Sequence, residues 1–374
     1  MPDRKIRVLI VDDSAAVRTT LTDIISSDPA LEVMATAADP YIAVERIRQE
    51  VPDVIFLDIE LPRMDGITFL KKMMSQRPIP VVICSSHASE GSDMLIKALE
   101  AGAVDVVPKP RVDTVEALHD SRARICAAAR NAAEARLKGR AVRPPAPEIH
   151  VEAKLTADAV IPPRSAARAA SALATIPVTE PVICIGASTG GTEALRDVLV
   201  ELPAASPAIL IVQHMPERFT AAFARRLNGL CQVRVKEAED GDVLEAGQVL
   251  IAPGGRHMTL QRTGSRYTVN IVDGPHVSRH RPSVDVLFRS AAYGAGRNAL
   301  GILLTGMGDD GARGLLEMRQ AGATTIAQDE ESSVVFGMPK EAIALGAAAK
   351  IVPLKRVAQE ITTYASRAPL RDSA

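Results

Sequence analysis

The stretch IRVLIVDD, residues 6–13, decides the fold of the first third of the chain, because an apolar run ends there directly in two acids. Helix-like stretches separate it from four further apolar runs, at residues 32–37, 54–57, 81–84 and 104–107. Strands that alternate with helices form a parallel sheet with helices on both faces. We therefore predict a five-stranded parallel (βα)5 domain over residues 1–129.

A second α/β region is predicted over residues 179–374. Its apolar runs at residues 182–186, 208–213 and 299–305 each precede a helix-like stretch, which predicts a doubly wound, mainly parallel sheet. Residues 231–272 alternate apolar side chains with glycine-containing turns, which predicts antiparallel hairpins.

The composition changes between these two regions. Residues 130–178 are rich in Pro and Ala and are predicted to be a linker. Its first part, up to residue 143, could continue the last helix of the first domain. The remainder is expected to be partly helical and partly extended.

The overall composition narrows the class of protein. The 374 residues are 47% apolar, and 44 basic against 45 acidic residues give a net charge of −1. This balance does not favour nucleic acid as a partner. The four cysteines lie far apart, which is typical of buried thiols in a reducing compartment. Because no apolar run reaches the ~18 residues of a membrane span and no signal-peptide core is visible, we expect a cytoplasmic protein without membrane insertion.

Chemically active side chains cluster at the strand ends of the first domain. Asp12 and Asp13 follow the first strand, Asp58 the third, Ser85 the fourth and Lys109 the fifth. The carboxyl ends of strands in an open α/β sheet converge on one edge. Three crowded carboxylates repel one another unless a cation joins them, and oxygen ligands suit Mg²⁺. We therefore predict that Asp12, Asp13 and Asp58 bind Mg²⁺, that Asp58 accepts a phosphoryl group, and that Ser85 and Lys109 hold the phosphoryl oxygens.

The second domain begins with a glycine-rich strand-to-helix turn, GASTGG at residues 186–191. Such a turn can bind phosphate or expose a nucleophile. Dinucleotide binding needs an acid after the next strand, which instead ends in Gln213 and His214, and a nucleoside-triphosphate loop needs a Lys after the last glycine. The turn instead fits a nucleophile elbow around Ser188, and His214 should lie at the same sheet edge as its general base.

The third member of such a triad should be a carboxylate at another strand end. The run at residues 299–305 is followed by Asp309 and Asp310, and the local pattern does not choose between them. Both could instead cap a helix N-terminus. The chain order Ser…His…Asp differs from the Ser…Asp…His order of the α/β-hydrolases, so we do not expect that fold.

The first domain resembles the receiver domains of two-component systems. The resemblance rests on Asp12-Asp13, Asp58, Ser85 and Lys109-Pro110, and it covers about residues 4–125. It implies phosphorylation of Asp58 by a phosphohistidine on a sensor histidine kinase.

The second domain resembles the chemotaxis protein-glutamate methylesterases, or CheB proteins. The matching stretches are residues 186–191, 213–216, 252–255, 280–285 and 305–311. The resemblance assigns Asp310, rather than Asp309, to the triad. It implies hydrolysis of γ-glutamyl methyl esters on methyl-accepting chemoreceptors, deamidation of receptor glutamines in some members, and no cofactor for the esterase. The backbone N–H groups of Thr189 and Met307 are candidate oxyanion donors.

Two other outputs are considered beside the methylesterase. A binding-only response regulator would need a helix-turn-helix or basic output domain, which residues 181–374 do not suggest. A broader esterase or amidase for small molecules would use the same triad. In either enzyme, we expect the receiver to restrain the esterase until Asp58 is phosphorylated.

His276 and His280 are four residues apart, but no third ligand accompanies them, so we do not predict a metal site there.

Overall fold

The computed structural model describes residues 4–61, 64–85, 92–110, 114–135, 154–163, 181–217 and 219–367. The chain divides into two compact units between residues 150 and 151. Among the described residues, none of the helices has both the length and the apolar character needed to cross a membrane. The predicted domain and linker boundaries remain predictions.

The first unit is a five-stranded parallel sheet in the order β2-β1-β3-β4-β5. The strands are β1 (Ile6–Val11), β2 (Leu31–Ala37), β3 (Val54–Leu57), β4 (Val81–Ser85) and β5 (Asp105–Pro108). The helices are α1 (Ala15–Ser26), α2 (Pro40–Gln49), α3 (Gly66–Gln76), α4 (Ser92–Glu100) and α5 (Val115–Glu134). The strand order reverses at β1 and β3, so the crevice where ligands bind in such sheets lies at the ends of these two strands.

Side-chain caps explain where four of these helices begin. Ser14, Asp39, Asp65 and Thr114 each accept a hydrogen bond from a backbone N–H in the first turn of the following helix. Short polar residues are preferred at this position because they satisfy N–H groups that have no partner within the helix.

The helix α5 ends at Glu134, where Ala135 is extended. The suggestion that this helix runs on to residue 143 therefore does not hold at residue 135, and residues 136–143 lie outside the described part.

The second unit is built on a seven-stranded parallel sheet in the order β14-β13-β12-β6-β7-β9-β8, with β10 and β11 as a separate antiparallel hairpin. The strands are β6 (Val182–Ala187), β7 (Ala208–Gln213), β8 (Arg234–Glu237), β9 (Gln248–Ile251), β10 (His257–Thr263), β11 (Arg266–Val272), β12 (Ala299–Leu303), β13 (Thr324–Gln328) and β14 (Lys350–Val352). The helices are α6 (Gly191–Val200), α7 (Phe219–Asn228), α8 (Val284–Gly294), α9 (Ala312–Gln320), α10 (Met338–Ala344) and α11 (Leu354–Arg367).

The centre of this sheet is buried on both faces. Every residue of β6, β7 and β12 is buried, which is why these strands read as continuous apolar runs. In the pairing register, Gly186 of β6 lies opposite Leu303 of β12, and Ala187 lies opposite Gln213 of β7. The three strands therefore end side by side at the point where the strand order reverses.

The predicted fold class is confirmed, but the hairpin region is smaller than expected. Of residues 231–272, only β10 and β11 form an antiparallel hairpin, because β8 and β9 join the main sheet as parallel strands. The loop of residues 238–247 returns the chain from the end of β8 to the start of β9, its parallel neighbour. The alternation of apolar residues did not distinguish the two arrangements, because it does not give the direction of the neighbouring strand.

Candidate functional site

Ser188 lies on a tight turn between β6 and α6. Its N–H donates to the Thr305 carbonyl over 3.0 Å, and its carbonyl accepts from the Gln213 side-chain amide over 3.0 Å. Gly190 has φ +77°, and a Cβ there would lie 2.5 Å from the Cβ of Val334. The positive φ and the close contact require glycine at this position. The half-buried Ser188 is thus fixed at the end of the central strand.

His214 directly follows β7, and its N–H donates to the Ala187 carbonyl over 3.0 Å. Its ring Nε2 lies 2.8 Å from Asp310 Oδ2. The other ring nitrogen, Nδ1, is buried and has no hydrogen-bond partner within the described ranges. A proton on Nε2 leaves Nδ1 as a free acceptor, which is the state required of a general base.

Asp310 is buried and sits at the N-terminus of α8. Its carboxylate accepts from the Ser283 hydroxyl at 2.8 Å and from the N–H groups of Val284 at 2.8 Å and Asp285 at 3.0 Å. Burial on its own would raise the pKa of Asp310, but the hydrogen bond and charge of His214 together with the Asp285 N–H lower it. The helix N-terminus also favours a negative charge there. Asp310 is therefore held as a carboxylate.

The structure separates the two adjacent aspartates that the sequence pattern could not. Asp310 contacts His214, whereas Asp309 is half-exposed and pairs with Lys154 Nζ at 2.6 Å. Helix capping and contact with the histidine, which the sequence presented as alternatives, are both properties of Asp310.

A second buried carboxyl, Asp285, lies beside Asp310 and was not singled out from the sequence. It accepts from the Gly314 N–H at 2.7 Å and from the Ser278 hydroxyl at 3.1 Å. Burial, reinforced by the charge of Asp310, raises the pKa of Asp285 to about 8. Asp310 thus caps α8 while Asp285, from the first turn of α8, caps α9. No local sequence signal marks this exchange, because the two residues are 25 positions apart.

His280 was weighed in the sequence as a metal ligand, a role that was not predicted, and it begins one of the stretches that match the methylesterases. Its ring stacks on the His214 ring, with centroids 3.6 Å apart and an interplanar angle of 6°. The described residues show no hydrogen bond between the Ser188 hydroxyl and the His214 ring. Such contacts are often long before substrate binds.

The two candidate oxyanion donors lie at the turns that follow β6 and β12. Across the described residues, neither the Thr189 N–H nor the Met307 N–H has a hydrogen-bond acceptor. The Thr189 carbonyl accepts from the Thr305 hydroxyl at 3.0 Å, which ties the two turns together. Both N–H groups therefore remain candidates for the oxyanion role.

The strand ends of the first unit bring the predicted acidic cluster together. Lys109 Nζ lies 2.8 Å from Asp58 Oδ2 and 2.9 Å from Asp12 Oδ2. Burial raises the pKa of Asp58, against the opposing effect of the Lys109 ammonium. Burial disfavours the ammonium as well, but its contacts with Asp58 and Asp12 outweigh this and raise the pKa of Lys109. Ser85 is at the same edge, where its carbonyl accepts from the Lys109 N–H at 3.0 Å.

The acidic cluster fits a hard divalent cation. Single carboxylate oxygens of Asp12, Asp13 and Asp58 all lie within 4.8 Å of one another. The buried Oδ2 of Asp12 has no hydrogen-bond partner in the described part of the chain beyond its ion pair with Lys109. Clustered carboxylate oxygens are suitable ligands for Mg²⁺.

Together these two sites define a class of protein: a receiver domain followed by an α/β hydrolase domain with a Ser-His-Asp arrangement. Comparison with known proteins agrees. Residues 8–120 match the response regulator receiver domain, and residues 183–361 match the CheB methylesterase family.

Two similar proteins extend over nearly the whole chain. Protein-glutamate methylesterase/protein-glutamine glutaminase 3 of Rhodopseudomonas palustris (strain BisB18) is 65% identical and the match covers 96% of each chain. Protein-glutamate methylesterase/protein-glutamine glutaminase 2 of Rhodospirillum rubrum is also 65% identical, over 97% of this chain and 99% of that protein. Among solved structures, the Thermotoga maritima CheB methylesterase catalytic domain is 37% identical, covers 50% of this chain and 99% of that one, and has a TM-score of 0.49. The chain belongs to the CheB methylesterase family, which confirms the resemblance read from the sequence.

Proposed function

We propose that this chain hydrolyses γ-glutamyl methyl esters on methyl-accepting chemoreceptors and that phosphorylation of Asp58 controls the reaction. The observation that carries this proposal is the convergence of Ser188, His214 and Asp310 at the ends of three adjacent strands, in a chain that also bears a receiver. The relatives are named for both methylesterase and glutaminase activities. Deamidation of receptor glutamines is therefore proposed as a second reaction of the same site.

In the first half of the proposed reaction, the Ser188 oxygen attacks the ester carbonyl carbon while His214 Nδ1 takes the hydroxyl proton. Nδ1 is the free ring nitrogen, since Nε2 faces Asp310. The Asp310 carboxylate stabilises the imidazolium that forms and holds the ring in the required tautomer. The protonated His214 then gives its proton to the departing methoxide, which leaves as methanol.

The negative oxygen of the tetrahedral intermediate needs hydrogen-bond donors. The N–H groups of Thr189 and Met307 are proposed for this role because neither has an acceptor among the described residues. One such donor contributes about 10²–10³-fold in rate in other serine hydrolases. In the second half of the reaction, His214 Nδ1 takes a proton from water, the water oxygen attacks the acyl-serine, and the glutamate carboxylate is released as Ser188 recovers its proton.

For the receiver, we propose that an Asp58 oxygen attacks the phosphorus of a phosphohistidine on a sensor kinase and that the N–P bond breaks. Asp12, Asp13 and Asp58 are the residues proposed to hold Mg²⁺. When bound, Mg²⁺ would neutralise charge on the transferring phosphoryl group. Lys109, already 2.8 Å from Asp58, and Ser85 are proposed to hold the phosphoryl oxygens. The family also supports a cytoplasmic location, where the kinase and the receptor substrate would meet.

Methanol release from methylated receptor membranes tests the proposed activity. The wild-type protein should release methanol, and Ser188→Ala should lose nearly all of this activity while its thermal unfolding stays similar. A well-folded Ser188→Ala protein with near-normal turnover would exclude Ser188 as the nucleophile. Hydrolysis of small esters with no methanol release from receptors would instead favour a broader esterase.

A further inference from the structure

The ring of His214 makes a single hydrogen bond to the described residues. Its Nε2 has one hydrogen bond, to Asp310, and its Nδ1 has none in the described part of the chain. One hydrogen bond fixes the direction of a ring atom but allows the ring plane to rock about that bond. Transfer of a proton to Nδ1 also requires a fixed plane, because the lone pair of Nδ1 lies in it.

His280 supplies a flat surface parallel to that plane. The two ring centroids are 3.6 Å apart with an interplanar angle of 6°, which is full face-to-face contact. Burial, followed by the nearby His214, lowers the pKa of His280 to about 3. His280 therefore carries no charge at neutral pH. A neutral ring can stay stacked on His214 when that residue becomes an imidazolium, since a cation is attracted to an aromatic face.

His280 ends a backbone turn that has an unfavourable conformation. The Val277 N–H donates to the His280 carbonyl at 3.0 Å and the His280 N–H donates to the Val277 carbonyl at 2.8 Å, which closes a tight turn. Its two central residues, Ser278 and Arg279, have φ of +49° and +71° although neither is glycine. This conformation is unfavourable for L-residues and persists only where the surroundings fix it.

The surroundings of this turn do fix it. The Ser278 N–H donates to the Leu155 carbonyl at 2.9 Å, and the Ser278 hydroxyl donates to Asp285 at 3.1 Å. The same Asp285 contributes its backbone N–H to Asp310. The strained turn and the carboxylate that orients His214 are thus held by one residue, so the His280 ring and the His214 ring share a common support.

We propose that His280 is a positioning residue whose stacked ring holds the plane of the His214 imidazole, with Nε2 toward Asp310 and Nδ1 toward Ser188. This inference rests on the proposed function, in which His214 is the general base. It separates His280 from the residues that contact the reacting atoms and assigns its effect to kcat rather than to substrate binding.

Three substitutions test whether His280 acts through the flat face of its ring, through the volume it fills or through its ring nitrogens. His280→Phe keeps a flat ring without nitrogens, His280→Leu fills space without a flat face, and His280→Ala removes both. The exposed His276→Ala in the same loop is the matched control. Full-length protein would be activated with acetyl phosphate and assayed for methanol release, with thermal unfolding measured for every variant.

We expect His280→Leu and His280→Ala to lower kcat about 10–100-fold, as misplacement of a catalytic group does, with KM within about twofold of wild type. His280→Phe should keep kcat within about fivefold, and His276→Ala should match the wild type. If Phe loses as much as Leu while both proteins remain folded, a ring nitrogen is needed and the proposal is wrong. Wild-type kcat in His280→Leu would also overturn it. The comparison of Phe with Leu remains decisive if His280→Ala does not fold.

A second readout separates this proposal from the proposed function. A fluorophosphonate probe labels an activated serine whatever the natural substrate, so its labelling rate reports how well His214 activates Ser188. Labelling should slow about 10–100-fold in His280→Leu, remain fast in His280→Phe and be absent in Ser188→Ala. Rapid labelling of a wild-type protein that releases no methanol would reject the receptor substrate but leave the stacking test valid. Equal labelling rates in the Leu and Phe variants would reject the stacking role.

Discussion

Replacement of Asp310 by Asn should damage both the stability of the second domain and the chemistry at His214. Each carboxylate oxygen accepts two hydrogen bonds: Oδ1 from Ser283 and the Asp285 N–H, and Oδ2 from His214 and the Val284 N–H. An Asn side chain has one oxygen and one NH2 group. Whichever way the amide turns, its NH2 group therefore meets a backbone N–H, and two donors face each other.

The two amide orientations differ in what they do to His214. With its oxygen toward His214, the substituted side chain would preserve the Nε2–H tautomer but provide no negative charge. With its NH2 group toward His214, it would donate to Nε2 and place the ring proton on Nδ1, which could then not accept the serine proton. The expected loss in kcat is about 10²–10⁴-fold, the upper limit being the loss expected from the wrong tautomer.

The stability cost combines two effects. A buried donor without an acceptor costs about 1–3 kcal/mol, and loss of a negative charge at a helix N-terminus costs about 0.3–1 kcal/mol. A total of about 3 kcal/mol would lower the melting temperature of a domain of this size by roughly 6–12 °C. Calorimetry of the full-length protein can follow the transition of the second domain separately from that of the receiver.

Asp309→Asn is the matched control for this experiment. Asp309 is half-exposed and pairs with Lys154 at a side-chain exposure near one third for both. Exposed pairs of this kind contribute about 0–1 kcal/mol, so the control should melt close to the wild type and keep its activity. An Asp310→Asn protein that melts with the wild type would refute the anchoring of α8, and one with wild-type turnover would remove Asp310 from the mechanism.

Three further predictions concern the other groups of the molecule. Asp58→Asn should abolish Mg²⁺-dependent labelling by a small phosphodonor, and labelling that persists at full stoichiometry would point to another acceptor. Because the pKa of Asp285 is raised from 3.8 to about 8 in the folded chain, its contribution to stability is present below pH 4 and is lost as the pH rises to 8. The free energy of urea unfolding of Asp285→Asn should therefore increase relative to that of the wild type between pH 5 and 8, and a difference in unfolding free energy that does not change with pH would contradict the raised pKa. A fragment of residues 154–374 should be more active on receptor membranes than the unphosphorylated full-length protein and insensitive to acetyl phosphate, whereas equal activities would exclude restraint by the receiver.

Much of the molecule could be predicted from the sequence because parallel sheets place function at strand ends. Buried strands such as β6 and β7 read as continuous apolar runs, and the residue after each run is at the sheet edge. Asp58 and His214 were predicted from their places directly after such runs, Lys109 from its place close to the end of one, and Ser188 from its place together with the glycine-rich turn around it. Their meeting at two positions where strand order reverses follows from the topology, which the apolar runs already indicated.

The features that local sequence patterns did not predict depend on contacts between residues distant in sequence. The choice of Asp310 over Asp309 is made by the N-terminus of α8, 25 residues earlier in the chain, since its N–H groups surround only one of the two carboxylates. The stacking of His280 depends on a turn in which Ser278 and Arg279 adopt positive φ. Neither is a residue type that usually marks this conformation. A pattern within one segment contains no information about such supports.

The segment of residues 154–163 makes long-range contacts that determine where a fragment without the receiver should begin. It falls within the predicted linker, yet Asp158 and the Ile161 carbonyl accept hydrogen bonds from the buried Arg289, whose other partner is Glu317. Removal of Asp158 would leave a buried guanidinium with part of its compensation missing.

The same segment supports the strained turn of residues 277–280. Its Leu155 carbonyl accepts from Ser278, and Ala157 packs against the fully buried Val277. A fragment that begins at residue 178 would therefore lose the receiver and these supports together, and a fall in its activity could not be assigned to either. A fragment that begins at residue 154 keeps them and removes the receiver with the first part of the predicted linker, residues 130–153. If the shorter fragment is less active than the longer one, the difference measures what residues 154–163 contribute to the site around His214.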